Sequence, residues 1–126
     1  MGNQELINHA LKAQSFAQPK YSGFSVGACL LAKDGRIYTG CNIENSSYGA
    51  TICAERVAIF KAVSEGVKEF SKIAIVGGDN SSFTYPCGIC LQVMNDWMPH
   101  GTVVLSDGNI IEELALSQLL PHGFVF

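Results

Sequence analysis

Apolar and polar positions along this chain follow two periods, one helical and one strand-like, with turn residues between them. Leu6, Ile7, Ala10, Leu11 and then Phe16 recur at helical spacing and predict an amphipathic first helix, which Pro19 ends. Phe24 to Ala32 is dense enough in apolar residues for a buried strand. Lys33-Asp34-Gly35-Arg36 supplies an Asp-Gly hairpin turn, and Ile37 to Ile43 returns as the partner strand. Asn45-Ser46-Ser47-Tyr48-Gly49 is loop. From about Ile52 to Glu65 the pattern is helical again, with Gly66 as its C-terminal cap. Val57, Ala58, Ile59, Phe60, Ala62 and Val63 make that helix apolar on more than one face, so it is expected to lie between a sheet and another subunit. Ile73 to Val76 is a short strand stopped by Gly77-Gly78, and Asn80 to Tyr85 a polar loop. Cys90 to Trp97 predicts a third helix. Strands follow at Thr102 to Leu105 and Ile110 to Ile111, and a helical turn at Leu116 to Leu120 precedes Pro121. Interleaved strands and helices predict one α/β domain over residues 1–126, a three-layer α/β/α sandwich around a mixed five-stranded sheet.

Composition narrows the partners. Apolar residues make up 48% of the chain and charged residues only 15%, against about 25% in an ordinary soluble domain. So small a domain has much surface to keep wet, and the shortage of charge predicts that other subunits cover some of it. The net charge is -3 and the lysines and arginines are scattered. No basic stripe is available to follow a phosphate backbone, which argues against long nucleic acid as a partner. The N-terminal residues lack the basic and apolar regions of a signal peptide, and no apolar run approaches the length of a membrane span. These features predict a cytoplasmic protein. Five cysteines, an odd number, in a reducing compartment point to thiol or metal chemistry rather than a disulfide framework.

The chemistry gathers at two helix entrances. Pro86-Cys87-Gly88-Ile89-Cys90 places two thiols one turn apart at the head of one helix, and Cys53-Ala54-Glu55 places a thiol and a carboxylate at the head of another. Helix N-termini favour anions and lower thiol pKa, and zinc binds the thiolate. Three thiolates leave one of zinc's four tetrahedral positions for water, as in catalytic rather than structural sites. Glu55, two residues from a ligand, stands close to that water yet is free to act as a base. Other readings exist for the motif. A lone Cys-x-x-Cys also suits a redox pair, although two strands and a helix precede this one. A closed structural site would draw its fourth ligand from Cys29 or Cys41, whose apolar strand neighbours fit small buried thiols better.

Cys-x-Glu followed by Pro-Cys-x-x-Cys matches the zinc deaminase signature in its form with Cys in place of His. With Phe24-Ser25-Val26-Gly27-Ala28, Gly40-Cys41-Asn42-Ile43-Glu44-Asn45, Arg56 and the closing Leu119-Leu120-Pro121 with Phe124, the chain resembles the small homotetrameric cytidine deaminases over nearly its whole length. The resemblance implies hydrolytic deamination of free cytidine, and of deoxycytidine, for pyrimidine salvage. It implies one Zn2+ per chain on Cys53, Cys87 and Cys90, with Glu55 as the proton carrier. Phe24, Asn42, Glu44, Ala54 and Phe124 would meet the nucleoside: Phe24 flanks the pyrimidine, Asn42 and Glu44 take the ribose hydroxyls, and Phe124 reaches in from a neighbouring subunit of a homotetramer. Arg56, one turn after Cys53, would donate to the ligand sulfurs. Leu91 departs from the pattern, since many relatives carry Arg after the last Cys. Two alternatives stand beside this one: the same zinc chemistry on a cytosine-containing antibiotic, as in blasticidin S deaminases, and a non-catalytic zinc protein.

Overall fold

The computed structural model describes residues 1–126. Five strands form one mixed sheet, β1 (Val26–Ala32), β2 (Ile37–Cys41), β3 (Phe70–Gly77), β4 (Thr102–Ser106) and β5 (Ile111–Ala115), in the order β2-β1-β3-β4-β5. Only β3 and β4 run parallel. Parallel neighbours need a crossover, and α3 (Gly88–Trp97) supplies it.

The two faces of the sheet are covered separately, which makes the three layers. On β1, Ala28, Leu30 and Ala32 face one side, together with Ile73 and Ile75 of β3 and Val103 and Leu105 of β4. They pack with Ala54, Ala58, Ile59 and Ala62 of α2 (Ala54–Ser64), Cys90 and Met94 of α3 and Leu116 of α4 (Leu116–Leu119). Cys29 and Leu31, Ala74 and Val76, and Val104 face the other side, where Leu6, Ile7 and Ala10 of α1 (Asn3–Gln14) meet them. Period-2 alternation persists although both faces are apolar, because both faces are buried.

Glycine sets how closely α2 lies on the sheet. A Cβ on Gly40 of β2 would stand 2.3 Å from the Ala54 carbonyl oxygen and 2.7 Å from the Ala58 nitrogen. At the far end of α2, Gly66 takes φ +87°; the Gly66 N–H bonds Val63 O at 3.0 Å and the Val67 N–H bonds Ala62 O at 3.1 Å. This is the paired closure expected of a glycine-capped helix.

Several element boundaries differ from the sequence expectation. The first helix ends at Gln14, leaving Phe16 outside it and exposed. There the chain turns to bridge Gln18 with Ile43. The strand expected from Phe24 begins at Val26, because the Phe24 N–H and C=O are taken by side chains rather than by a neighbouring strand. β2 stops at Cys41, and Ile43 instead bridges Ile52. β3 starts three residues early, at Phe70, and β5 spans Ile111–Ala115 while Ile110 lies exposed in the turn before it. The helices expected from Ile52 and Cys90 start at Ala54 and Gly88, each directly after a cysteine.

Candidate active site

The strand directions bring the interesting segments to one edge. Val26 pairs with Gly77, and Gly27 with Cys41. The segment entering β1 with Phe24, the segment leaving β2 with Asn42 and Glu44, and the loop leaving β3 toward Cys87 therefore all lie at the same end of the sheet. Ligands of open α/β sheets bind at such an end. The Ile43–Ile52 bridge, with N–H to O distances of 3.0 Å in both directions, closes the intervening loop and seats Cys53 there as well.

Cys53 is the N-cap of α2 and Cys87 the N-cap of α3, while Cys90 sits in the first turn of α3. Neither capping sulfur accepts a backbone N–H of its own helix, so the sulfurs are not spent on capping. Two positive helix ends converge on them. The three Sγ atoms lie within 4.8 Å of one another, with Cys53 and Cys87 3.9 Å apart. Tetrahedral zinc at Zn–S distances of about 2.3 Å asks for sulfurs just under 4 Å apart, so the donor set fits that ion. No fourth His, Cys, Asp or Glu joins the cluster. Cys29 is buried in the α1-side core, its thiol pushed up to about 11 by desolvation, and Cys41 is likewise outside the trio.

Charge around the sulfurs is organised by burial and by Arg56. In the metal-free chain the Cys53 thiol is brought down to about 5, chiefly by the hydrogen bond from Cys90, with the Arg56 guanidinium adding to it. Cys90 is pushed up by the neighbouring Cys53 sulfur and by burial. Arg56 Nη2 lies 3.4 Å from Cys53 Sγ. Its Nε is buried without a partner. Leu91 packs against the core. Glu55 is only 4% exposed, and burial pushes its carboxyl up to about 7, with the charge on Cys53 acting in the same sense. A carboxyl poised near neutrality is suited to taking and returning a proton.

The sugar and base candidates are also brought to this edge, but not as free groups. Asn42, 8% exposed, donates from Nδ2 to Phe24 O at 2.8 Å and accepts the Val26 N–H at 2.8 Å. Glu44 accepts the Tyr21 and Ser22 N–H groups at 2.8 and 2.9 Å and the Ser22 hydroxyl. These bonds hold Glu44 below its usual pKa, the Ser22 hydroxyl contributing most. The Phe24 ring lies against Gly78, where a Cβ would come within 2.8 Å of it. Ala54 is buried at the head of α2. Phe124 is tied elsewhere. Its backbone exchanges hydrogen bonds with the Gln92 side chain on α3, and its ring, 62% exposed, stacks edge-on to Phe126 at 5.0 Å. Two residues that sequence reasoning missed also act here. Ser22 links Glu44 to Phe24, and buried Gln14 donates to Ser25 O and to Gly78 O, tying together the segments that grip the Phe24 ring.

A family model for the cytidine and deoxycytidylate deaminase zinc-binding region matches residues 2–106. The chain belongs to this deaminase family. A cytidine deaminase of Halalkalibacterium halodurans is 48% identical over 127 aligned positions, covering 98% of this chain and 95% of that protein. A probable cytidine deaminase of Dictyostelium discoideum is 50% identical across 98% of this chain and 86% of its own length. The crystal structure of a cytidine deaminase from Burkholderia pseudomallei superimposes with a TM-score of 0.92 at 41% identity, covering 98% of this chain and all of that one. As a family member, the deaminase carries its sulfur cluster where two helix heads meet. No helix in it is long and apolar enough to cross a membrane.

Proposed function

We propose that this deaminase hydrolyses free cytidine, and deoxycytidine, to the uracil nucleoside and ammonia, in pyrimidine salvage within the cytoplasm. One observation carries the reading: three sulfurs converge with no fourth protein ligand, beside a buried carboxyl near neutrality. One Zn2+ per chain on Cys53, Cys87 and Cys90 would supply the Lewis acidity that brings water within reach of deprotonation near neutral pH.

The rest falls to the chain's own residues. Glu55 takes the proton of the attacking water and delivers it to N3 of the pyrimidine, which makes C4 electrophilic. It then takes the second proton of that water from the new C4 hydroxyl and delivers it to the amino group, which leaves as ammonia while the C4 carbonyl forms, so that one carboxyl serves as base and acid in turn. Burial keeps Glu55 out of bulk water, where its proton would otherwise leak away. Phe24 flanks the ring and the head of α2 at Ala54 floors it. Asn42 keeps one amide proton and one lone pair beyond the bonds it already makes, and Glu44 keeps one carboxylate lone-pair site. These are the groups left for ribose hydroxyls. Phe124, whose ring is exposed on its own subunit, covers the site of a neighbour in a homotetramer.

The test measures zinc per chain and the ultraviolet change from cytidine to uridine, for the native chain and for Glu55→Ala. The expected variant is folded, zinc-loaded and slower by about 10²–10⁴. A variant as active as an active native chain would remove Glu55 as the proton carrier, and a native chain that binds zinc without touching cytidine would leave only a structural site.

A further inference from the structure

We propose that Ser22 is a positioning residue for sugar recognition, its hydroxyl coupling the Glu44 carboxylate to the backbone of Phe24 so that sugar and base are held by one connected unit. The proposal rests on the reading of this site as a nucleoside pocket and deepens it.

Ser22 acts on both sides at once. Its Oγ–H donates to Glu44 Oε2, and its Oγ accepts the Phe24 N–H at 3.0 Å. The same Phe24 peptide is held at its other end, where its C=O accepts from Asn42 at 2.8 Å. Beyond it, Phe24's ring rests on Gly78, whose carbonyl accepts from Gln14 at 2.9 Å, and Gln14 also donates to Ser25. A continuous hydrogen-bonded path thus runs from the carboxylate that would meet the sugar to the peptide of the residue whose ring would meet the base.

The two oxygens of Glu44 are not equivalent. Oε1 takes two backbone N–H groups, which survive any side-chain change at position 22, whereas Oε2 has the Ser22 hydroxyl as its one protein donor. Oε2 therefore keeps a lone-pair site for an incoming hydroxyl, and Ser22 decides where that oxygen points. Without Oγ the carboxylate is pinned on one side only and the Phe24 N–H turns to water. The largest contribution holding Glu44 below its ordinary pKa is this same hydroxyl.

The experiment compares native chain, Ser22→Ala and Ser22→Thr on cytidine and on 2′,3′-dideoxycytidine, which lacks the 2′ and 3′ hydroxyls. Removal of one charge-assisted bond should raise KM for cytidine by about tenfold in Ser22→Ala with little change in kcat. The kcat/KM for dideoxycytidine should stay within about twofold, because the Asn42 bond to Phe24 O and the Gly78 contact still seat the ring, and Ser22→Thr should restore the native discrimination. Carboxyl NMR of Glu44 should show its pKa rising in Ser22→Ala. Equal losses on both nucleosides, or no change on either, would overturn the proposal. A native chain that leaves cytidine untouched would instead strike down the nucleoside reading and take the proposal with it.

Discussion

Arg56 donates to Cys53 Sγ across 3.4 Å from one turn further along α2, and its buried Nε has no other partner. Three thiolates on one divalent ion carry a net charge of about -1, which weakens the metal as a Lewis acid. With Leu91 packed against the core, Arg56 is the guanidinium left to offset that charge. Arg56→Gln should therefore lose zinc to a competing chelator about tenfold more readily, or turn over about tenfold more slowly. Native zinc retention together with a native rate would show that the contact has no such role.

The buried carboxyl of Glu55 makes a stability prediction for the metal-free chain. Its pKa rises from 4.5 to about 7 on folding. The folded state then binds more protons than the unfolded state between those values, so this group's contribution is intact below pH 4.5 and is lost as pH climbs through 7. Glu55→Gln abolishes that titration. Relative to the native apoprotein it should gain stability steadily over this interval, by an amount on the order of 3 kcal/mol above pH 7. Denaturant unfolding of both chains at pH 4, 6 and 8 checks it. A difference that does not change with pH would mean that Glu55 titrates normally.

The core and the two cysteine motifs were legible from sequence because each depends on local rules. Cys53 and Cys87 lie just ahead of apolar helical runs, and Cys87 and Cys90, one turn apart at the head of α3, lie on the same side of it. What stayed hidden depends on distant partners. Lys72 in β3 is carried by Glu113 of β5 and Asn3 of α1, contacts 41 and 69 residues away, so the strand's polar start resembled a loop. β5 was expected only over Ile110 to Ile111 because Glu112 and Glu113, which continue it, sit on an edge strand, where charge is tolerated. Ser22 and Gln14 are residue types found on any surface, and only the fold reveals that one meets Glu44 and the other is buried against Gly78.

The C-terminal tail separates an oligomeric site from a self-contained one. Phe124 is fastened through its backbone to Gln92, which leaves its side chain, with those of Val125 and Phe126, facing outward, the three residues being 62%, 77% and 113% exposed. Apolar side chains displayed in this way need cover. Sedimentation should find a homotetramer. Phe124→Ala should raise KM for cytidine several-fold while leaving the zinc content and the fold unchanged. A monomer with full activity would remove the neighbour from the site.

Gly40 ties the fold to the chemistry most directly, because α2 carries Cys53, Glu55 and Arg56 and leans on β2 at this point. A methyl group at position 40 would stand 2.3 Å from Ala54 O and 2.7 Å from Ala58 N, both backbone atoms of α2 that cannot swing aside. Gly40→Ala must therefore push the head of the helix off the sheet. Overpacking of this kind costs about 1–3 kcal/mol, and here the displaced atoms belong to the same turn as one ligand and the proton carrier. The expected variant unfolds at lower denaturant, holds zinc more weakly and deaminates more slowly. Gly88→Ala serves as the control, since a Cβ there meets nothing within 4 Å although it lies between two of the sulfurs in sequence. If Gly40→Ala and Gly88→Ala proved equally stable and equally active, α2 would not be positioned by this contact.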